Sequence, residues 1–195
     1  MINALDIRSL FGDLLDQIQD TALRQQVTDS WVAGCQQGGW ESLEALREFP
    51  FTLLTDCHGV SFIEHTRAVT AGALALGKAQ LENYATMPYA LNLDYLIAGG
   101  LLHDVGKLME SGPDGQGGYH KTHAGRCARH PISGAILASS FGIPQEILNI
   151  IICHASEGNG RPQRLEAVLV HQADFATFNP LVMMNKGSLI LEGEE

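Results

Sequence analysis

Seven consecutive residues, Leu101-Leu102-His103-Asp104-Val105-Gly106-Lys107, constrain this chain more than any other stretch. An adjacent His-Asp pair and then a lysine stand at the end of an apolar run that reads as a buried helix. A carboxylate set among Leu, Val and Gly is too costly to bury alone, so it needs a partner. Imidazole and carboxylate are hard-to-borderline ligands, and side by side they can serve one cation or bridge two. A metal ion is the partner this pattern calls for, and the fold must then bring further ligands to it.

Helical periodicity dominates the rest. Ile7, Leu10, Phe11, Leu14, Leu15 and Ile18 recur at three- and four-residue steps, the pattern of an amphipathic helix. A second helix is expected over about 21–36, stopped by Gly38-Gly39, and a short third one begins at Trp40 and ends before Pro50. These opening helices contain no histidine and read as a scaffold or an interface. From Val60 onward the spacing predicts helices at 61–78, 91–109, 131–141, 144–154 and 163–178, with Pro131 and Pro144 near helix starts, where proline is tolerated. Residues 111–126 are Gly-rich and polar and are expected to form a loop. No alternating strand pattern of useful length is present, so the expected class is all-α. The expected organisation is a helical extension over 1–59, a ligand-bearing helical domain over 60–178, and a tail over 179–195 that docks or frays.

A chain of 195 residues suits one domain of this kind. The net charge of −10, with 12 Lys and Arg, argues against the clustered basic face of a nucleic-acid-binding protein, so no nucleic-acid polymer is expected as a partner. The longest apolar stretch, 96–102, falls far short of the roughly 20 residues a bilayer requires, and no membrane association is expected. The opening residues do not resemble a signal peptide. Cys35, Cys57, Cys127 and Cys153 form no Cys-x-x-Cys, which suggests neither a zinc knuckle nor a disulfide scaffold. A soluble cytoplasmic protein with reduced thiols is the expectation.

Ligand-type residues recur at helix-sized intervals. His65 lies in Glu64-His65-Thr66-Arg67, His130 opens His130-Pro131-Ile132-Ser133-Gly134, His154 closes an isoleucine-rich helix, and Asp174 lies in the last helix. A single histidine on an apolar helix is most often a satisfied core residue, and His154 could simply cap its helix as a cation. Side chains converging from facing helices build sites in bundles, however. Four His and two Asp suit two metal ions bridged by one carboxylate, with open positions for water or substrate. Lys107, one turn after His103, can point at a bound substrate oxygen where charge gathers. Arg126, Arg129 and Arg161 flank the ligands and could hold a phosphate. His120 and His123 are substrate contacts or solvated loop residues, and His171 is a supporting partner or a surface residue.

The ordered set His65, His103-Asp104, His130, His154, Asp174 resembles the HD superfamily of metal-dependent phosphohydrolases over roughly 60–178. The motifs His-Asp-x-Gly-Lys and His-Pro-x-x-Gly fall in the family order. The resemblance implies an HD-domain helical bundle with two divalent ions, Fe, Mn or similar, bridged by Asp104. His65, His103 and Asp174 would hold one ion, and His130 and His154 the other. At motif level the chain is similar to HD-GYP and HDIG proteins, since Glu157-Gly158-Asn159-Gly160-Arg161-Pro162 echoes the Asp-Gly-x-Gly-Tyr-Pro segment. It departs from them with Cys153-His154-Ala155 where His-His-Glu is usual, with Arg161 in place of Tyr, and with Ser61 where trimetal members carry Glu. A third metal and cyclic-di-GMP hydrolysis are therefore not implied.

The implied function is a dinuclear phosphohydrolase acting on a nucleotide or another small phosphoester. Asp104 and Lys107 would be catalytic, and Lys107, Arg126, Arg161 and His123 would bind substrate. An HD-fold mixed-valent di-iron oxygenase would show the same ligands, and fold alone does not choose between them. A non-catalytic signalling or partner-binding module using 1–50 as its interface is the third reading. Homodimer formation stays open.

Overall fold

The computed structural model describes residues 1–192. Helix α1 (Ala4–Leu15) starts from an Asn3–Asp6 capping box, and α2 (Thr21–Gly38) runs from an Asp20 cap to Gly39, whose φ of 74° ends it. The short α3 (Leu43–Glu48) leads to a strap that crosses to α4 (Phe62–Asn83). Then follow α5 (Leu93–Leu102), α6 (Lys107–Glu110), the strands β1 (Ser111–Pro113) and β2 (Tyr119–Lys121), and α7 (His123–Cys127). Helices α8 (His130–Ser140), α9 (Gln145–Cys153) and α10 (Leu165–Asn185) complete the chain. Helix α4 packs between α5 and α10, and α9 packs against α5, α8 and α10. One hydrophobic cluster runs from Ile7 on α1 to Ala173 on α10, so the opening helices share a core with the ligand-bearing ones.

The expected long helix over 91–109 is in fact broken after Leu102, and His103 to Gly106 form a turn. The break would strand two carbonyls, and each has found a donor. Gly100 O, which a continuing helix would bond to Asp104 N, accepts instead from His103 Nδ1 at 2.6 Å. Leu101 O, freed because Val105 N bonds Leu102 O, accepts from the indole of Trp31 at 2.9 Å. Trp31 is fully buried on α2, tilted between Phe11 (4.8 Å) and Phe62 (5.4 Å). The Trp40 indole likewise donates to Leu108 O at 2.8 Å. Trp31 on α2 and Trp40 in the α2–α3 connection thus hold both sides of the His-Asp turn by backbone carbonyls.

Gly106 ends the turn because nothing larger fits: a Cβ there would lie 2.2 Å from His130 O and 2.7 Å from Gly134 N. This close approach seats the start of α8, and with it His130, against Asp104.

Residues 111–126 are also more ordered than a loop. The strands pair antiparallel with Ser111 opposite Lys121 and Pro113 opposite Tyr119. Asp114 closes the connection by accepting from Gln116 N and Gly118 N, and Thr122 caps α7. Three-residue strands are too short to show an alternating pattern, and the protein remains all-α in class around this one hairpin. Helix α10 runs past the expected end at 178 to Asn185 despite Pro180. Its last turns are retained by packing of Leu181 on the core and by the contacts of Asn185 with the strap.

Trp31→Phe keeps an aromatic ring in place but orphans Leu101 O, so urea unfolding should show a loss of about 1–3 kcal/mol. A loss below about 0.5 kcal/mol would mean that the indole bond does not hold the turn.

Candidate metal centre

Five buried residues from four places in the chain meet at one point. His65 comes from the first turns of α4, His103 and Asp104 from the turn after α5, His130 from the start of α8, and His154 from just beyond α9. Their exposures run from 0% for His103 to 6% for His130. Asp104 sits in the middle, with its two oxygens facing different histidines. Oδ2 lies 3.5 Å from His65 Nε2 and 3.3 Å from His103 Nε2. Oδ1 lies 3.2 Å from His130 Nε2 and 3.5 Å from His154 Nε2. Asp174 Oδ1 joins the first group, 3.2 Å from His65 Nε2. Ligand atoms held ~2.1 Å from one ion stand ~3.0–3.4 Å apart at octahedral or tetrahedral angles, close to the 3.2–3.5 Å seen here.

Each imidazole is oriented by its other nitrogen. Nδ1 of His103 meets Gly100 O at 2.6 Å, Nδ1 of His154 meets Ile151 O at 2.7 Å, and Nδ1 of His130 meets Glu110 Oε2 at 2.8 Å. Carbonyl and carboxylate oxygens only accept, so these Nδ1 atoms carry the proton and Nε2 presents a lone pair to the centre. Thr177 does the same for His65 at 3.3 Å: its hydroxyl donates to Asp174 O, leaving its oxygen free to accept. His171 Nδ1 lies 2.7 Å from the His154 carbonyl, a supporting contact for the segment that carries His154.

Among the described residues, the buried side-chain nitrogen and oxygen atoms with no hydrogen-bond partner are His65 Nε2, His103 Nε2 and both oxygens of Asp104. Lys107 Nζ approaches Asp104 Oδ2 to 2.5 Å as an ion pair, but its approach is not aligned as a hydrogen bond. Lone pairs converging in a dry pocket carry a heavy penalty unless a cation takes them. Two sets of three, His65-His103-Asp104 and Asp104-His130-His154, could each hold an ion. The residues fit two divalent cations sharing Asp104.

Charge follows the same geometry. Burial works against ionised Asp104, yet Lys107, His103 and His130 outweigh it and hold its carboxyl well below the usual range. Burial likewise opposes the charge on Asp174, but the bond to His65 leads the groups that bring it to about 2. For His130, burial is the larger influence and lowers the imidazole to about 4 despite Asp104 and Glu110, which keeps it in the neutral, ligating form at pH 7.

The centre opens into a cavity of about 390 Å³. His130 and His154 reach this cavity together with Asp104, Asp174 and Lys107. Two further cations line it: Lys121, paired with Glu110 Oε1 at 2.8 Å, and Arg129, paired with Glu157 Oε1 at 2.7 Å. Of the other residues singled out in the sequence, His123, Arg126 and Arg161 are exposed and do not line the cavity. The Arg161 side chain instead donates to Glu157 O at 2.9 Å, and His123 lies 3.7 Å from Cys127 Sγ.

Glu110 was not singled out in the sequence. It is 5% exposed and accepts from both the backbone N–H and the ring of His130, while the hairpin delivers Lys121 to its other oxygen. Burial opposes its charge, but these partners bring its carboxyl down to about 2. The one available signal was an acid directly after Leu108-Met109, three residues past Lys107.

The HD-domain family matches residues 62–175, more than half of the chain. This protein belongs to the HD-domain family. The chain is 35% identical over 96 residues to ribonuclease Y of Thermotoga petrophila, which is 49% of this chain and 16% of that protein. It is 40% identical over 74 residues to ribonuclease Y of Borreliella afzelii, covering 38% of this chain and 12% of that protein. It is also 32% identical over 115 residues to the dihydroneopterin 2',3'-cyclic phosphate phosphodiesterase of Methanocaldococcus jannaschii, 58% of this chain and 45% of that protein. The chain therefore spans less than half the length of these curated relatives. No solved structure matches it. Among the described residues, no helix is long and apolar enough to cross a membrane.

The histidine at the centre makes the metal-free protein acid-sensitive. The folded His130 has its pKa lowered from 6.5 to about 4, so the unfolded chain binds the proton first as pH falls. Its stabilising contribution is complete above pH 6.5 and is lost as pH falls towards 4. Glu110, lowered from 4.5 to about 2, acts in the same direction at lower pH. Urea unfolding of chelator-treated protein should show about 2 kcal/mol less stability at pH 5 than at pH 7. Equal or greater stability at pH 5 would contradict this account of His130.

Proposed function

We propose that this HD domain is a metal-dependent phosphohydrolase with a dinuclear centre that acts on a small phosphoester, a nucleotide or a related metabolite. The observation that carries the reading is Asp104, whose two oxygens lack hydrogen-bond partners and each face a different pair of histidines. His65, His103 and Asp174 would hold one divalent ion, and His130 and His154 the other. Two such ions would supply Lewis-acid activation of a water and of the phosphoryl oxygens.

The chain's own residues do the rest. Lys107 is held by Phe51 O at 2.7 Å and by Asp104, which aims its ammonium at the cavity floor. There it can neutralise charge gathering on a phosphoryl oxygen in the transition state. Lys121 and Arg129, already paired with Glu110 and Glu157, line the same cavity and can hold a phosphate there. A cavity of about 390 Å³ suits a small molecule, which favours a small ester over a polymer. The curated relatives are named as a cyclic phosphate phosphodiesterase and as ribonucleases, and both names denote phosphodiester cleavage.

With Mn²⁺ or Fe²⁺ added, the protein should hydrolyse bis(4-nitrophenyl) phosphate or a 2',3'-cyclic nucleotide. Lys107→Ala should lower kcat by about 10²–10³, and Asp104→Asn should abolish turnover. Turnover that persists in Asp104→Asn would overturn the mechanism. Cleavage of an RNA oligonucleotide with no action on small esters would overturn the substrate class. Oxygen consumption by the iron-loaded protein with no phosphate released would favour the oxygenase reading instead.

A further inference from the structure

Part of the cavity wall lies outside the family-matched segment. A strap over residues 49–59, before position 62, contributes Phe51, Leu53 and Leu54, and Phe178 follows position 175. The strap has little regular structure: one bridge joins Pro50 to Ser61, and Phe62 N donates to Phe49 O at 2.7 Å. A second cavity, of about 460 Å³, lies against the same strap, and Pro50, Thr52 and Leu53 line both. Buried Phe49, Phe51 and Cys57 anchor the strap in the core, and polar ties set the course of the rest.

Those ties are specific. Phe51 stacks on the ligand His65 at 4.1 Å, and its carbonyl accepts from Lys107. Asn185, at the end of α10, donates to Thr55 Oγ1 at 2.6 Å and to Asp56 O at 2.9 Å, while its Oδ1 lies 2.5 Å from His58 Nε2. His58 adopts a φ of 48°, uncommon for a residue other than glycine, with its N–H bonded to Asp56 Oδ1 at 2.8 Å. One amide thus gathers three strap residues at the end of a helix that Pro180 would otherwise have ended early.

The strap also divides the cavity chemically. Lys107, Lys121 and Arg129 supply cations, whereas Leu53 and Leu54 line it with apolar side chains that remain 39% and 76% exposed. Isolated exposed leucines are ordinary. Two in succession on a cavity that also holds Phe175 and Phe178 form a surface for an apolar group on the ligand.

We propose that residues 51–57 form a specificity strap that selects phosphoesters carrying an aromatic or apolar organic group, with Asn185 as the residue that positions it. The inference rests on the phosphoester reading of the same site. The test is calorimetric titration of the Mn²⁺-loaded protein with two inert probes, phenylphosphonate and methylphosphonate. Wild type should bind the phenyl probe about tenfold tighter. Leu54→Ala and Asn185→Ala should each bring that ratio to about two while leaving methylphosphonate affinity and Mn²⁺ content unchanged. Equal affinity for both probes in wild type, or an undiminished ratio in Leu54→Ala, would overturn the strap's role. An Asn185→Ala protein that keeps the wild-type ratio, or that loses Mn²⁺ along with selectivity, would overturn the positioning role. Failure of both probes to bind would instead overturn the phosphoester reading itself.

Discussion

A buried carboxylate with no hydrogen-bond partner on either oxygen is the constraint around which this fold is arranged. Asp104 is 1% exposed, and burial alone would keep it neutral, yet its surroundings hold it ionised. Bringing it inward required breaking a helix in an apolar interior, where stranded carbonyls are as costly as stranded charges. The chain meets that cost locally with the His103 ring on Gly100 O, and at long range with the Trp31 indole on Leu101 O. The opening helices are therefore part of the centre's support, although none of the proposed ligands lies on them. Gly106 then allows α8 to approach closely enough to deliver His130.

From that point the site separates into two sides. His65 and His103 present fully buried lone pairs on the Oδ2 side, whereas His130 and His154 border the cavity on the Oδ1 side. Supporting bonds reach outward in each direction. Glu110 ties His130 to the hairpin through Lys121, and Phe51 ties His65 and Lys107 to the strap. A positively charged side chain lining the cavity is thus linked by one carboxylate to one proposed ligand, and the cavity wall is linked by one ring to another.

Much of this was legible in the sequence because burial and chemistry conflict there visibly. His and Asp on apolar helices stand out at His65, His103-Asp104, His130, His154 and Asp174, and the structure brings all six together. The helices were legible from their period. What was not legible depended on distant partners. The break after Leu102 rests on Trp31, some 70 residues away, and no local pattern announces it. The hairpin is too short to alternate, and α10 passes Pro180 because of contacts made by residues beyond it. Cations near the ligands in sequence, Arg126 and Arg161, point elsewhere, while Lys121 is carried in by strand pairing. Proximity along the chain finds Lys107 and Arg129 but misses Lys121.

The central claim is that Asp104 is shared by two cations. Elemental analysis of protein purified without air, for wild type and Asp104→Asn, tests it most directly. The account predicts two divalent ions per chain in wild type and the loss of both in the variant, because removing the shared carboxylate charge weakens both sites at once. Binding of no metal by the folded wild type, or full retention of two ions by Asp104→Asn, would contradict it.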